Sequence, residues 1–294
     1  MKAKTTRVRG FAPWTPQRKT LALLEQVKAV LIEYEEHLPL TIRQVFYRLV
    51  GRYGYDKTEN AYARLCETLN RARRAQLVDF DSIRDDGVSA HAPHFWTGVP
   101  QVMATVNGIA DRYTLDRQQG QPVYLVVMCE AGGMAPMLGR IANEYGVTVY
   151  SSGGFDSLTA KHQFAQDLSQ HDQVEVLHIG DHDPSGVHLF NALAEDIQAM
   201  CVALDARPPV FTRLAVTPAQ IAQLGLPTAP AKATDRRAFE GETVQAEAIP
   251  PDVLIGILHD AITSRQDAEI RQAVIAQEQI DREEIRDWIN GGAA

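Results

Sequence analysis

The sequence predicts an α/β protein in which a basic, helical N-terminal region precedes a parallel sheet and a helical C-terminal tail. Apolar residues recur at helical spacing near the N-terminus, whereas short apolar runs alternate with helical stretches from residue 122 onward. Such alternation is typical of a parallel sheet, whose strands are buried on both faces. Charge follows the same division, because residues 1–86 hold 16 basic and 11 acidic residues although the whole chain has a net charge of −8. A basic front and an acidic rear favour a polyanion-binding module joined to a domain that concentrates carboxylates.

The N-terminal region predicts three helices followed by a hairpin. Hydroxyl side chains that can cap a helix mark the three starts, at Thr15, Thr41 and Thr58. The short run 77–83 has the length of a β-hairpin or wing. Three helices and a wing predict a winged-helix DNA-binding domain over residues 1–86, with the third helix in the position that reads DNA.

The region after residue 121 predicts the sheet. Helical stretches separate apolar runs of strand length, which are Val123–Cys129, Val147–Tyr150, Val174–Ile179 and Val210–Val216. Residues 87–121 contain Gly, His, Pro and Trp and a helical stretch, and we interpret them as a connecting segment. The sheet domain is then predicted over residues 122–264, and a helical tail over residues 265–294.

Composition excludes several classes of protein. No run approaches the ~18 apolar residues that a membrane span needs, and no apolar core of a secretory signal follows the N-terminal cations. The cysteines are odd in number and widely spaced, at Cys66, Cys129 and Cys201, so that neither a disulfide framework nor a zinc site is expected. We therefore expect a cytoplasmic protein without a membrane partner.

Carboxylates follow two of the predicted strands. Glu130 comes directly after the first strand, and Asp181 and Asp183 come after the third. The carboxyl ends of parallel strands open onto the same edge of a sheet, where three carboxylates would repel one another unless a cation joined them. Oxygen ligands of this kind are typical of Mg²⁺. The alternative is that the aspartates cap the helix that begins at Pro184.

A tyrosine and an arginine share one face of the predicted second helix. Arg43 and Tyr47 are four residues apart, and a guanidinium beside a phenol would favour the phenolate and bind a phosphate under attack. The alternative is a half-buried aromatic residue beside a solvated arginine. Spacing alone leaves both interpretations open.

The third helix carries a row of arginines that could follow a DNA backbone. Arg64 and Arg71 are seven residues apart and lie on one face, which Arg74 extends. A solvated helix face is the competing interpretation. The basic N-terminal region favours contact with DNA.

The ordered motifs resemble a known family. The segments concerned are Glu130, Gly153–Thr159 and Asp181–Gly186 in the sheet domain, Arg43 with Phe46-Tyr47 in the helical domain, and Val244–Ile249 before the tail. The first three resemble the Toprim domain of the A subunits of type IIB DNA topoisomerases. The fourth resembles the catalytic-tyrosine motif in the winged-helix domain of that family, which includes the meiotic double-strand-break protein. The resemblance covers most of residues 39–263.

The resemblance implies a mechanism and a set of roles. Tyr47 would attack a phosphodiester of double-stranded DNA and form a 5′-phosphotyrosyl link, with Arg43 positioning or activating it. Glu130, Asp181 and Asp183 would hold Mg²⁺ at the scissile phosphate. The fold implied is a winged-helix domain followed by a Toprim domain, which is a parallel-sheet, Rossmann-like fold.

The resemblance also implies partners. In that family the tyrosine comes from one protomer and the metal from the other, so a homodimer would cut both strands. The chain has no nucleotide-binding P-loop signature, and full strand passage would need a separate ATPase subunit. Its length is that of the compact A-like proteins of bacteria, phages and mobile elements.

Two other functions remain open at this stage. Related Toprim nucleases hydrolyse DNA without a tyrosine, and in such an enzyme Tyr47 would be structural. A DNA-binding regulator would use the winged helix and have no catalytic activity.

Overall fold

A computed structural model of the chain describes residues 12–84, 93, 95–151, 158–230, 239 and 241–291. Its helices are α1 (Arg18–Glu33), α2 (Ile42–Tyr53), α3 (Glu59–Arg74), α4 (Val99–Asn107), α5 (Ile109–Arg112), α6 (Ala135–Glu144), α7 (Leu158–Leu168), α8 (Pro184–Ala203), α9 (Pro218–Leu224), α10 (Pro251–Thr263) and α11 (Ala268–Gly291). Its strands are β1 (Leu40–Thr41), β2 (Ile83–Arg84), β3 (Tyr124–Cys129), β4 (Thr148–Ser151), β5 (Val174–Ile179) and β6 (Val210–Ala215). The predicted α/β class, parallel pairing and helical C-terminal region are confirmed.

The main sheet has a point at which its strand order reverses. Its four strands lie in the order β4-β3-β5-β6, and every neighbouring pair is parallel. The chain passes from β3 to β4 on one side and then crosses over to β5 on the other side of β3. In open parallel sheets, ligands bind in the crevice that such a reversal leaves at the carboxyl ends of the strands. Glu130 and Asp181 follow these two strands.

Helices cover both faces of the sheet, as the continuous apolar runs predict. Val126 and Met128 of β3 pack on one face with Phe164 of α7 and Leu193 of α8. The alternate residues of β3 face α6 and α10, and this side of the core continues without a break into the buried residues of α1, α2 and α3. The helical N-terminal region is thereby packed against the sheet.

The capping predictions for the second and third helices are confirmed. Thr41 Oγ1 accepts a hydrogen bond from the backbone N–H of Gln44, and Thr58 Oγ1 accepts one from that of Ala61. Helix α2 ends at Gly54, whose φ of 64° favours glycine. The first helix begins at Arg18, later than the Thr15 start predicted.

The hairpin predicted over residues 77–83 is not formed, and the prediction is wrong for these residues. A single helical turn occupies Phe80–Ser82, held by Asp79, whose side chain accepts from the N–H of Asp81. Strand β2 then pairs with β1 in parallel, Leu40 with Ile83 and Thr41 with Arg84. Adjacent strands of a hairpin are antiparallel, whereas this pairing joins residues 43 positions apart.

Helix α11 lies within the helical tail predicted over residues 265–294, and a short interruption separates it from α10. Asp267 ends the interruption between α10 and α11, because its carboxylate accepts from the N–H groups of Glu269 and Ile270. Of the Gly153–Thr159 segment, residues 153–157 lie outside the described residues. Within the described part, every helix is too short or too polar to span a membrane.

Candidate functional site

Two carboxylates meet where the sheet reverses its strand order. The carboxylate of Glu130, which follows β3, accepts a hydrogen bond from the backbone N–H of Asp181 after β5, at 3.0 Å. Oδ1 of Asp181 accepts from the N–H of Ala246 at 2.8 Å. The predicted convergence of these two side chains therefore occurs, and each carboxylate is held by a backbone donor.

Two glycines make room for the carboxylate of Glu130. A Cβ at Gly180 would first meet the ring of His178 and would lie 2.6 Å from Glu130 Oε2. A Cβ at Gly186 would first meet the carbonyl oxygen of Asp181 and would lie 3.2 Å from Glu130 Oε2. Real Cβ atoms essentially never approach closer than 3.0 Å. The glycines that flank Asp181 and Asp183 thus shape the cradle in which Glu130 lies.

Asp183 has a different contact from its two neighbours. Its Oδ1 accepts from the N–H of Gly186 at 2.7 Å and caps helix α8. The capping alternative raised from the sequence is thus realised at Asp183. Burial is the main cause of the raised pKa of Glu130 and of Asp181, and the negative charge of Asp183 adds to it.

Two adjoining clefts open at this edge of the sheet. The first cleft, about 360 Å³ in volume, is lined by Glu130 and Asp181 together with Arg43, Arg84 and Gln245. The second cleft, about 510 Å³, is lined by residues that include Asp183 and Lys57, and it shares Arg43, Tyr62 and Gln245 with the first. Acidic and basic side chains therefore face the same space, as a site for a phosphate and a cation requires.

The carboxylates carry negative charge that the protein neutralises only in part. Burial raises the pKa of Glu130, and the charge of Asp181 raises it further. Burial likewise raises the pKa of Asp181, an effect that the N–H of Ala246 opposes. Positive charge in the first cleft would relieve this repulsion.

The residues of the first cleft fit a Mg²⁺ ion that keeps several of its water ligands. Magnesium takes one or two protein carboxylates and completes its coordination with water and substrate phosphate. Glu130 and Asp181 line the cleft, and each keeps lone pairs beyond its backbone hydrogen bond. In the part of the chain that the structure describes, no three His, Cys, Asp or Glu side chains form a ready-made metal cage. Glu130 and Asp181 could hold the ion from this cleft, and Asp183, the third predicted ligand, lines the adjoining cleft and uses its Oδ1 to cap α8.

Arg213 supports the Asp181 loop from behind. From β6 it donates hydrogen bonds to the carbonyl oxygens of Gly180, at 3.1 Å, and of Asp181. Burial lowers the pKa of Arg213, and the charges of Glu130, Asp181 and Asp183 raise it. Its guanidinium fixes the loop and supplies part of the positive charge that the carboxylates need.

Arg43 and Tyr47 lie on one face of α2, as their spacing predicts, and share a hydrogen-bond acceptor. Oε1 of Gln245 accepts from Nη1 of Arg43 at 2.5 Å and from the hydroxyl of Tyr47 at 2.6 Å. Gln245 directly precedes Ala246, whose backbone N–H donates to Asp181. The residues predicted from the sequence to be catalytic or to bind metal therefore lie in the same region of one chain.

The phenol of Tyr47 is buried and held in its neutral form. Tyr47 is 6% exposed. Burial raises its pKa to about 12; Arg43 opposes this effect, and the charges of Asp181 and Glu247 add to it. A phenol with this pKa is a weak nucleophile at neutral pH. Neutralisation of Asp181 would lower the pKa of Tyr47.

Residues 244–247, called here the bridging segment, connect the tyrosine to the carboxylates. Val244 pairs with His182 through two backbone hydrogen bonds of 2.8 and 2.9 Å. The carboxylate of Glu247 accepts from Thr41 Oγ1 at 2.9 Å and lies 3.9 Å from Nε of Arg43. One short segment, which passes from a β-bridge at Val244 into a helical turn at Ala246–Ala248, thus contacts both the Asp181 loop and the start of α2.

The arginines predicted to bind DNA lie outside both clefts. Arg64 and Arg71 are exposed, and Arg71 forms an ion pair with Glu67 at 2.7 Å. Arg74 is half-buried, and its Nε donates to Asn70 at 2.9 Å. Arg74 is twelve residues beyond the cleft residue Tyr62, or about 18 Å along the helix axis.

Four residues of this site were not predicted from the sequence. Gln245 and Glu247 belong to a segment noted only for its resemblance, and the amide and carboxylate within its apolar run were the available signal. Arg213 was visible as a charged residue inside a predicted buried strand. Arg84 carried no signal, because its place in the first cleft depends on the parallel pairing of β2 with β1.

Comparison of the chain with protein-family models, with curated proteins and with solved structures finds no match.

Proposed function

We propose that this protein cleaves double-stranded DNA by Mg²⁺-dependent transesterification, in the manner of the A subunits of type IIB topoisomerases. The proposal is supported chiefly by Gln245, whose amide oxygen accepts hydrogen bonds from both Arg43 and Tyr47. The next residue, Ala246, donates its backbone N–H to Asp181. A nucleophile, a phosphate-binding cation and two metal-ligating carboxylates are the parts that such a reaction needs.

In the proposed reaction, the phenol oxygen of Tyr47 forms a bond to phosphorus while the bond from phosphorus to the 3′ oxygen breaks. The phenol proton ends on the released 3′ hydroxyl, carried there through water, and the 5′ phosphate stays on the tyrosine. Arg43 stabilises the phenolate and the phosphate oxygens. Glu130 and Asp181 would hold Mg²⁺, which would supply positive charge at the phosphate.

We further propose that the fold is a winged-helix domain joined to a Toprim domain. Helices α1–α3 with the small β1–β2 pair support the first assignment, although residues 77–83 contain no hairpin. The second is supported by the parallel sheet with Glu130 and Asp181 at its reversal point.

The partners that we propose are double-stranded DNA, a second copy of the chain and a separate ATPase subunit. A homodimer would present two tyrosines, one for each strand. The resemblance implies a site shared between protomers, whereas here Tyr47 and Asp181 are linked through the bridging segment of one chain. Each protomer would then carry a complete set of groups.

The test is cleavage of supercoiled plasmid in Mg²⁺, stopped with detergent and assayed for protein on the DNA ends. The wild type should give linear DNA with protein attached to its 5′ ends. Tyr47→Phe should give none, whereas Tyr53→Phe on the same helix should behave as the wild type. Linear DNA with protein-free ends would overturn the transesterification.

A hydrolytic nuclease is the second candidate, and the burial of Tyr47 favours it. The hydroxyl donates to Gln245, and Tyr47 is 6% exposed and is not among the residues that line the first cleft. In a hydrolase, water would attack the phosphate and Tyr47 would be structural. Tyr47→Phe would then retain cleavage, whereas Asp181→Ala would lose it.

A further inference from the structure

We infer that Gln245 is a positioning residue for the cleavage reaction, one that fixes Arg43 and Tyr47 relative to each other and to the Asp181 loop. This inference rests on the proposed function and assigns a role within the same site. Gln245 is separated from Arg43 by 202 residues and from Tyr47 by 198, so the contact is a tertiary one.

The geometry distinguishes Gln245 from an ordinary packing residue. A single amide oxygen accepts from the guanidinium at 2.5 Å and from the phenol at 2.6 Å, and these are short hydrogen bonds. An amide oxygen can accept the phenol's hydrogen bond but cannot take the proton at neutral pH. Gln245 therefore orients the hydroxyl, so that the hydroxyl hydrogen points to the amide and the oxygen lone pairs point elsewhere.

The backbone next to Gln245 is itself fixed. The preceding residue, Val244, pairs with His182, and the following residue, Ala246, donates to Asp181 at 2.8 Å. The position of Gln245, and with it that of the Tyr47 hydroxyl, is therefore fixed relative to the Asp181 loop. Misplacement of a reacting group by 1 Å can reduce a rate about 100-fold.

Gln245 also lies between the clefts and the nucleophile. Its side chain lines both clefts, whereas Tyr47 behind it is 6% exposed. A phosphate that enters the first cleft therefore meets Gln245 and Arg43 first, and Gln245 keeps the hydroxyl of Tyr47 beside Arg43 as the phosphate binds.

The test compares three variants in full-length protein. Gln245→Leu keeps the size of the side chain and removes the acceptor, whereas Gln245→Glu keeps an acceptor and adds a negative charge. Gln198→Leu is the matched control, because Gln198 donates to the carbonyl of Pro209 far from the clefts. Circular dichroism and urea unfolding establish that each variant is folded.

The first readout is the rate of covalent adduct formation at saturating DNA, together with DNA affinity. Gln245→Leu should slow the adduct rate about 10- to 100-fold and change affinity less than threefold, because positioning acts on the chemical step. Gln245→Glu should also be slow at neutral pH, because the added negative charge opposes formation of the phenolate. A Gln245→Leu rate equal to that of the wild type would overturn the inference, and so would an equal loss of rate in Gln198→Leu.

The second readout does not depend on cleavage. A fluorotyrosine placed at position 47 is titrated by ¹⁹F NMR without metal or DNA. The charged or titratable groups that face the phenol are Arg43, Lys57, Tyr62, Asp181 and Glu247. Gln245→Glu should raise the titration midpoint by adding a negative charge, and Gln245→Leu should lower it by removing the acceptor of the neutral phenol. Identical midpoints in the wild type and both variants would overturn the inference.

The two readouts separate failure of this inference from failure of the proposed function. If the wild type forms no adduct but the midpoints move as stated, the proposed function fails and Gln245 still positions the tyrosine. If Tyr47→Phe abolishes the adduct while the Gln245 variants match the wild type, only the role of Gln245 fails.

Discussion

Substitution of Gly180 by alanine tests the cradle of Glu130 through folding stability. The new Cβ would meet the buried ring of His178 most closely and would lie 2.6 Å from Glu130 Oε2. Since ordinary contact begins at about 3.4 Å, the carboxylate must move by about 0.8 Å. The carboxylate would then lose its 3.0 Å hydrogen bond from the N–H of Asp181.

Two contributions set the expected loss of stability. Overpacking of a buried site costs about 1–3 kcal/mol. A lost hydrogen bond to a charged group costs about 1.5–3 kcal/mol, although the flexible Glu130 side chain can recover part of it. We expect Gly180→Ala to lower the free energy of unfolding by about 2–4 kcal/mol.

The assay is urea unfolding followed by circular dichroism. At a slope of about 2 kcal/mol per molar urea, the midpoint should fall by about 1–2 M. Gly139→Ala is the matched control, since Gly139 lies inside helix α6 and nothing approaches its Cβ position within 4 Å. It should be neutral or stabilising by up to about 1 kcal/mol. Equal midpoints for Gly180→Ala and the wild type would refute the cradle.

Three further predictions concern Asp181, Thr41 and Arg71. Without metal, Asp181 has a raised pKa in the folded state. Between its ordinary and its raised pKa, the folded state therefore binds more protons than the unfolded state, and the free energy of unfolding falls as the pH rises. Asp181→Asn should therefore raise the melting temperature at neutral pH in EDTA, by about 2–4 °C for each 1 kcal/mol gained, and added Mg²⁺ should stabilise only the wild type; a lower melting temperature for the variant would contradict this. Thr41→Ala should cost about 1–2 kcal/mol in urea unfolding, because it removes the cap of α2 and the donor to Glu247, whereas Thr41→Ser should be nearly neutral. Arg71→Gln should reduce the slope of log affinity for DNA against log salt by about one, whereas Arg286→Gln on α11 should leave it unchanged, and equal slopes for all three proteins would contradict a phosphate contact at Arg71.

Local sequence signals predicted the parts of the site that depend on single elements. The apolar runs located β3 and β5, and the acidic residues that end them had to meet once the strands were parallel neighbours. The four-residue spacing of Arg43 and Tyr47 placed them on one helix face. Both inferences used periodicities of the backbone that hold in any fold.

The parts that could not be predicted depend on distant pairing. The contact of Gln245 with α2 joins residues about 200 positions apart, and no local pattern encodes it. The same is true of β2, where a local turn preference suggested a hairpin but pairing with β1 determined the conformation. Tertiary packing overrides local propensity at such positions.

Asp183 shows a different limit. A D-P-S-G run after a strand predicts a helix cap as well as it predicts a metal ligand, and the sequence left both open. The structure gives Oδ1 to the N–H of Gly186. Only the relative positions of Glu130, Asp181 and Asp183 could separate the capping residue from the two residues that line the first cleft.

The central claim is that Tyr47 becomes joined to DNA, and peptide mapping of the reaction product tests it most directly. Wild-type protein is incubated with a duplex oligonucleotide and Mg²⁺, denatured, digested with nuclease and protease, and analysed by mass spectrometry. The account predicts one modified peptide, which contains Tyr47 and carries a 5′-linked nucleotide on the phenol oxygen. Cut DNA accompanied by an unmodified Tyr47 peptide would contradict it.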